Sequence, residues 1–107
     1  MFSKSILIAA LLLAVNSAHA ANVALADGAA VSSGARLAAT CAACHGTNGA
    51  TKGETLPPIA GQPKEALTAT LRAFKSGSRQ STIMTQIAKG YTDEQIELLA
   101  AYFAARK

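Results

Sequence analysis

Residues 41–45 read Cys-Ala-Ala-Cys-His, and this motif constrains the chain more than any other part of its sequence. C-x-x-C-H is the pattern through which a c-type haem is attached to a protein. Positions i and i+3 of a helix lie on one face, so Cys41 and Cys44 can add to the two vinyl groups of one porphyrin. The imidazole of His45 then lies below the ring and can bind the iron. The motif occurs once, so the sequence predicts one covalently bound haem c.

Other uses of two cysteines and one histidine fit this sequence less well. A structural zinc site usually needs four protein ligands, and a thioredoxin-like dithiol is expected within a βαβ context. A disulfide is possible in an oxidising compartment, but it would not need His45. A haem-free thiol oxidoreductase that uses Cys41 and Cys44 stays open as an alternative function.

The first twenty residues have the organisation of a secretory signal peptide. Lys4 precedes an unbroken apolar run over residues 6–15, and Ala18-His19-Ala20 is a small-residue cleavage site. Ten apolar residues are too few to cross a bilayer, which disfavours an uncleaved anchor. Ala24-Leu25-Ala26 is a second, more distant cleavage site. We therefore predict export to the periplasm, with a signal peptide over residues 1–20 cleaved after Ala20, a flexible leader over 21–32 and one domain over 33–107.

Composition supports a small domain built around a cofactor. Cleavage after Ala20 would leave 87 of the 107 residues, with no Trp and few aromatic side chains. A core of Ala, Leu and Ile alone is marginal at this size. The broad apolar faces of a covalent haem would complete such a core.

The net charge gives no reason to expect a nucleic-acid partner. After cleavage the chain has nine Lys and Arg against six Asp and Glu, and two haem propionates would lower the resulting +3 to about +1. Five positive residues lie close together in the sequence, as a solvated face or as a docking surface for an acidic partner. They are Lys64, Arg72, Lys75, Arg79 and Lys89.

Apolar spacing and helix-capping residues predict an all-α domain of three main helices and a short one. Ser32 or Ser33 can cap a first helix that runs to about Cys44. Its inward face would carry Leu37, Cys41 and Cys44 or His45. Gly46 and the Asn48-Gly49 turn pair end this helix. No alternating strand pattern occurs.

The other helices have clear boundaries in the sequence. Pro63 suits the first turn of a second helix, which Gly77 ends. A short helix is expected over residues 82–88. Residues 92–95, Thr-Asp-Glu-Gln, form a capping box that begins the last helix. Its apolar side would carry Ile96, Leu99, Ala100 and Phe103.

His45 and Met84 are the candidate axial ligands of the iron. After signal removal, each is the one residue of its type in the sequence. We expect Nε2 of His45 to bind iron while Nδ1–H donates to a carbonyl group that fixes the ring. Met84 follows 39 residues later between two predicted helices, far enough to reach the other side of the ring, although methionine more often fills core gaps. A His/Met pair leaves no open position for a substrate, which favours electron transfer between Fe(II) and Fe(III) over catalysis at iron.

Together these residues resemble a class I cytochrome c over nearly all of residues 33–107. In that family a Pro-x-Leu-x-Gly segment follows the haem motif, and residues 57–61 here read Pro-Pro-Ile-Ala-Gly. The resemblance implies that the Pro57 carbonyl accepts a hydrogen bond from His45 and that Ile59 packs on the ring. It also implies that the first and last helices cross at right angles. The residues expected at that crossing are Leu37, Ala38, Leu99, Tyr102 and Phe103.

Two branches of this family resemble particular segments. Residues 56–62 and the 93–103 helix are similar to one half of a dihaem cytochrome c4. Residues 74–91 resemble the cytochrome subunit of flavocytochrome c sulfide dehydrogenase, in which a flavin subunit oxidises sulfide and passes electrons to the haem subunit. Both relatives commonly have two haem domains, whereas this chain has one motif.

The resemblance therefore leaves two main functions. One is a separate single-haem electron carrier with no catalysis of its own. The other is the haem subunit that accepts electrons from a flavoprotein, since the chain has no G-x-G-x-x-G with which to bind flavin itself. A gas-binding or peroxidatic haem with Met84 off the iron is a less favoured alternative.

Overall fold

The computed structural model describes residues 28–29, 33–52 and 56–107. The predicted signal peptide and most of the predicted leader lie outside these residues. The chain divides into two units, Met1–Ala30 and Val31–Lys107. In the second unit, α1 spans residues 33–38, α2 Ala42–His45, α3 Lys64–Ser76, α4 Met84–Lys89 and α5 Asp93–Ala104, and Thr47–Gly49 form a 3₁₀ turn.

The helical prediction is confirmed, since no strand occurs in the described part of the chain. No helix within those residues has both the length and the apolar character that a membrane crossing requires.

The predicted first helix is wrong in one respect, because a turn at residues 39–41 divides it into α1 and α2. The amide of Cys41 donates to the carbonyl of Ala38 at 3.0 Å, and the hydroxyl of Thr40 donates to the carbonyl three residues before it at 3.3 Å. Hydrogen bonds between residues three apart tighten the backbone into 3₁₀ geometry. A side-chain hydroxyl that bonds to a carbonyl of the preceding turn also competes with the backbone hydrogen bonds of an α-helix. The haem motif therefore has its own short helix, which ends at His45.

The predicted boundaries of α3 and α4 agree with the structure to within two residues. Pro63 is the N-cap of α3, and Gly77 ends that helix with φ 80°. The short helix begins at Met84. In the turn before it, the Ser81 hydroxyl accepts a hydrogen bond from the Thr85 amide at 2.8 Å.

The predicted capping box at the start of α5 is confirmed. The Thr92 hydroxyl accepts from the Gln95 amide at 3.2 Å, and the Gln95 side-chain oxygen accepts from the Thr92 amide at 2.9 Å. These two bonds satisfy amides that have no partner within the helix.

Helix α5 supplies the centre of the core, and α3 packs against both α4 and α5. The main cluster of buried residues consists of Ala38, Leu67, Leu99, Ala100 and Phe103. Leu37 and Tyr102 pack against it. In α1, a Cβ added to Gly34 would lie 2.7 Å from the carbonyl oxygen of Leu98, so the backbones of α1 and α5 approach closely. The predicted contact between the first and last helices is therefore confirmed.

Candidate functional site

A hydrogen bond fixes the ring of His45. Its Nδ1 lies 3.1 Å from the carbonyl oxygen of Pro57. A carbonyl can only accept, so Nδ1 carries the proton and donates it, and the lone pair of Nε2 stays available for a metal. The hydrogen bond implied by the family resemblance is thus confirmed.

The loop that carries Pro57 is attached to the turn that follows His45. The carbonyl of Gly49 accepts hydrogen bonds from the amides of Ile59 at 2.9 Å and Ala60 at 3.1 Å. These bonds hold the loop against the turn, and the Pro57 carbonyl therefore stands at a defined distance from the imidazole.

Only glycine fits at position 49 of this turn. Asn48 and Gly49 have φ values of 55° and 76°, in the left-handed region that residues with a Cβ adopt at a cost. A Cβ at position 49 would lie 2.5 Å from Cγ1 of Ile59 and 2.9 Å from Cδ1 of Phe103. Ile59 thus packs tightly against the turn and α5.

The two thiols lie in different environments and are not bonded to each other. Cys41 is half-buried and packs against the core, whereas Cys44 is exposed. Burial raises the pKa of the Cys41 thiol, a side-chain interaction with Thr40 lowers it in part, and the charge of Cys44 raises it. Reactive dithiols have a lowered thiol pKa, and the direction for Cys41 is the opposite.

The donor set also disfavours the zinc alternative. In the part of the chain that the structure describes, no three His, Cys, Asp or Glu residues are grouped so that they could hold a metal ion. A structural zinc site usually needs four such ligands.

Met84 begins α4 and is half-buried, but it is not part of the core cluster formed by the described residues. The chain after α4 returns to the haem motif. The hydroxyl of Tyr91 lies 2.9 Å from that of Thr40, the residue before Cys41. Tyr91 and Cys41 also pack against the same core cluster. The end of α4 is therefore close to Cys41, while Cys41, His45 and the Pro57 loop form the other part of the site.

Large apolar side chains beside the candidate ligands are exposed. Ile83, next to Met84, is 58% exposed, and Ile87, one turn later, is 37% exposed. Leu56, next to Pro57, is also 37% exposed. Apolar side chains exposed on both segments suit a broad apolar group that would cover them. With two unbridged thiols and an available Nε2, the residues present fit a covalently bound haem.

Three contacts near the site were not predicted. The first is the bond between Thr40 and Tyr91. The second is the hydrogen bond that the Tyr102 hydroxyl donates to Oδ1 of Asn48 at 2.7 Å. The third is the guanidinium of Arg106, which lies 4.3 Å from the centre of the Tyr102 ring. The partners of the first two are 51 and 54 residues apart. No local sequence pattern predicts such contacts. The one related signal was the Asn48-Gly49 pair, which predicts a turn but not the partner of Asn48.

Three of the five residues in the predicted positive cluster form ion pairs with two carboxylates of α5. Glu97 lies 3.1 Å from both Lys64 and Arg72, and Asp93 lies 2.9 Å from Lys75. The hydrogen bond and charge of Lys75 lower the pKa of the Asp93 carboxyl. For Lys64, Arg72 and Lys75 these pairs favour the solvated-face interpretation over a docking surface for an acidic partner.

Known proteins similar to this chain are haem proteins. A family model described as cytochrome c matches residues 31–106. The chain is 47% identical over 72 residues to the cytochrome subunit of sulfide dehydrogenase of Chlorobaculum tepidum, covering 67% of this chain and 64% of that protein.

Two further relatives are more distant. A thiosulfate dehydrogenase electron acceptor of Stutzerimonas stutzeri is 39% identical over 67 residues, covering 60% of this chain and 31% of that protein. Cytochrome c4 of Pseudomonas aeruginosa is 35% identical over 74 residues, covering 69% and 37% respectively. The chain thus spans less than two thirds of the length of each of these three relatives. Both branches named from sequence segments occur among them.

Proposed function

The chain belongs to the cytochrome c family, and from that premise we propose that it is a periplasmic electron-transfer protein with His45 and Met84 as axial ligands of one haem. Members of this family carry covalently bound haem c, and Cys41 and Cys44 fit its attachment motif. The observation that carries the proposal is the hydrogen bond from Nδ1 of His45 to the Pro57 carbonyl at 3.1 Å, directly after that motif.

Each residue of the site has a defined task in this proposal. Cys41 and Cys44 form the two thioether bonds. His45 presents Nε2 to the iron, and the Pro57 carbonyl holds its ring in one orientation and tautomer. Ile59, fixed by the Gly49 turn, packs on the ring from the same side.

Met84 completes the site from the opposite side. Its position at the start of α4 supports this role, since Tyr91, two residues after the end of that helix, is bonded to Thr40 beside Cys41. A methionine and a histidine together raise the reduction potential and fill both axial positions. The protein then has no position for a substrate at the metal and performs no catalysis of its own.

Bound haem supplies an iron that cycles between Fe(II) and Fe(III). The Pro57 carbonyl holds the His45 imidazole in one orientation, so this ligand would need little rearrangement when the haem changes its oxidation state. Partners would dock briefly through a small interface, as redox partners do.

Export and domain organisation follow from the sequence. We assign residues 1–20 to a signal peptide cleaved after Ala20, 21–32 to a leader and 33–107 to the haem domain. The family match from residue 31 supports the start of the domain. Sequencing the amino terminus of the periplasmic protein tests the cleavage site.

A second candidate function is the haem subunit of a sulfide dehydrogenase that accepts electrons from a flavoprotein subunit. The relative from Chlorobaculum tepidum favours it, because that protein is such a cytochrome subunit by name and is 47% identical over the matched residues. Mixing a sulfide-reduced flavoprotein subunit with the oxidised protein in a stopped-flow instrument tests it. Rapid reduction of the haem would support the subunit function, and no reduction would exclude it.

The Met84→Ala variant tests the axial ligation. We expect it to lose the far-red absorption band of a methionine–iron(III) bond. Its potential should fall by an appreciable part of the roughly 0.8 V range that axial ligands control. Gln86→Ala is the matched control, because this exposed residue lies on the same helix and is not among the apolar side chains that a haem would cover.

Voltammetry and visible spectra of the two variants measure the outcome. An unchanged potential in Met84→Ala would exclude this residue as a ligand. A protein mass without one added haem, made in cells competent for haem attachment, would overturn the whole proposal and favour the thiol oxidoreductase.

A further inference from the structure

A hydrogen bond connects the two halves of the site. The Tyr91 hydroxyl lies 2.9 Å from that of Thr40, across 51 residues of sequence. Thr40 immediately precedes Cys41, and Tyr91 follows the helix that Met84 begins. The bond therefore joins the haem-attachment segment to the segment of the second candidate ligand.

The directions of the hydrogen bonds are set by the available protons. The Thr40 hydroxyl has one proton and donates it to the Leu37 carbonyl at 3.3 Å. Tyr91 is then the donor in the bond to Thr40. The Tyr91 ring also packs against the core cluster, which already restricts its rotamers. Forming the hydrogen bond therefore costs little additional side-chain entropy.

Helix α4 transmits this restraint to Met84. The helix has six residues, a length of about 9 Å. The carbonyl of Ala88 accepts from the Tyr91 amide at 3.2 Å, so Tyr91 is bonded to the last turn of the helix. Movement of α4 away from the haem motif would break the bond to Thr40.

We propose that Tyr91 is a positioning residue, whose hydrogen bond to Thr40 holds α4 in place and thereby strengthens the bond between Met84 and the iron. The inference rests on the proposed ligation by Met84. It predicts that dissociation of Met84 from the iron is opposed by the free energy of one additional hydrogen bond.

Imidazole affinity of the oxidised, haem-loaded protein measures this effect. Imidazole binds iron only when Met84 has dissociated, so its apparent affinity scales with the population of the dissociated state. Loss of one exposed hydrogen bond should raise that population about three- to tenfold. We therefore expect Tyr91→Phe to bind imidazole about three- to tenfold more tightly than the parent protein.

Two further variants make the test independent of Tyr91→Phe alone. Thr40→Val removes the same bond from its other end, together with the bond to the Leu37 carbonyl, and should give at least as large an increase. The double variant should give no further increase over Thr40→Val, because the bond that Tyr91→Phe removes is already absent there. Tyr102→Phe is the matched control, since its hydroxyl bonds at 2.7 Å to Asn48, in the 3₁₀ turn.

The outcomes separate this inference from the proposed function. An unchanged imidazole affinity in both Tyr91→Phe and Thr40→Val would overturn the inference. So would equal increases in Tyr91→Phe and Tyr102→Phe, which would indicate general destabilisation. If Met84→Ala itself leaves imidazole affinity unchanged, then Met84 is not a ligand, and both the proposed ligation and this inference fail.

Discussion

Gly49→Ala tests how tightly the turn after His45 packs against the Pro57 loop. Gly49 has φ 76°, and a Cβ there would lie 2.5 Å from Cγ1 of Ile59 and 2.9 Å from the ring of Phe103. Phe103 is only 4% exposed and belongs to the core cluster. Neither side chain can move aside without disturbing its neighbours.

Two separate costs add in this variant. The left-handed backbone costs a residue with a Cβ about 1–2 kcal/mol. Overpacking of a closed core typically costs about 1–3 kcal/mol more. The expected loss in the free energy of unfolding is therefore about 2–5 kcal/mol.

Gly77→Ala is the matched control for the first cost. Gly77 has φ 80°, but nothing lies within 4 Å of an added Cβ. We expect only the backbone cost, about 1–2 kcal/mol. The effect of replacing glycine on the unfolded chain is common to both variants and cancels in their difference. The difference of about 1–3 kcal/mol isolates the packing of Ile59 and Phe103 against the turn.

Denaturant unfolding of the haem-loaded variants measures these losses, followed by circular dichroism and by haem absorption together. In a domain of this size each kcal/mol also lowers Tm by roughly 4–8 °C. Equal stabilities of the two variants, within about 0.5 kcal/mol, would refute the argument that Gly49 is required for close packing.

Two further predictions concern the start of α5. Thr92→Ala removes the hydroxyl that accepts from Gln95 and should cost about 1 kcal/mol in denaturant unfolding, whereas Thr92→Ser should retain most of the stability. Because Lys75 lowers the pKa of the Asp93 carboxyl, their pair stabilises the protein above the unfolded pKa of about 3.9 and is lost as pH falls through the folded value. Asp93→Asn should therefore be less stable than the parent near neutral pH and equal to it in acid. Thermal melts across this range measure the difference, and a constant gap would contradict the assignment.

Several local features of the fold could be predicted because their signals are contained within a few residues. The capping box at Thr92 and the left-handed Gly77 each depend on one turn of chain. The haem motif likewise has its chemistry within five residues. The hydrogen bond of His45 to Pro57 spans twelve residues and was implied only by the family resemblance.

Features that depend on distant residues were not predictable from one sequence. The hydroxyl of Thr40, at the break between α1 and α2, bonds to Tyr91 across 51 residues of sequence. The glycine requirement at positions 34 and 49 comes from α5 and the Pro57 loop, since these elements approach the backbone there. Sequence periodicity predicts single helices or strands. It does not predict these contacts, because each of them joins two separate elements.

The carbonyl of Gly49 accepts hydrogen bonds from the amides of Ile59 and Ala60. These bonds close the loop that runs from Gly49 to Ile59, and this loop is suitable for engineering. The base of this loop is closed by backbone atoms, so its closure does not depend on the side chains within it. Doubling the length of a flexible loop costs only about 0.6 kcal/mol. A short peptide inserted between Thr51 and Lys52, carrying a group for immobilisation, should therefore leave the imidazole and its carbonyl partner unchanged. The protein could thereby be attached to an electrode through a segment that adjoins its redox centre.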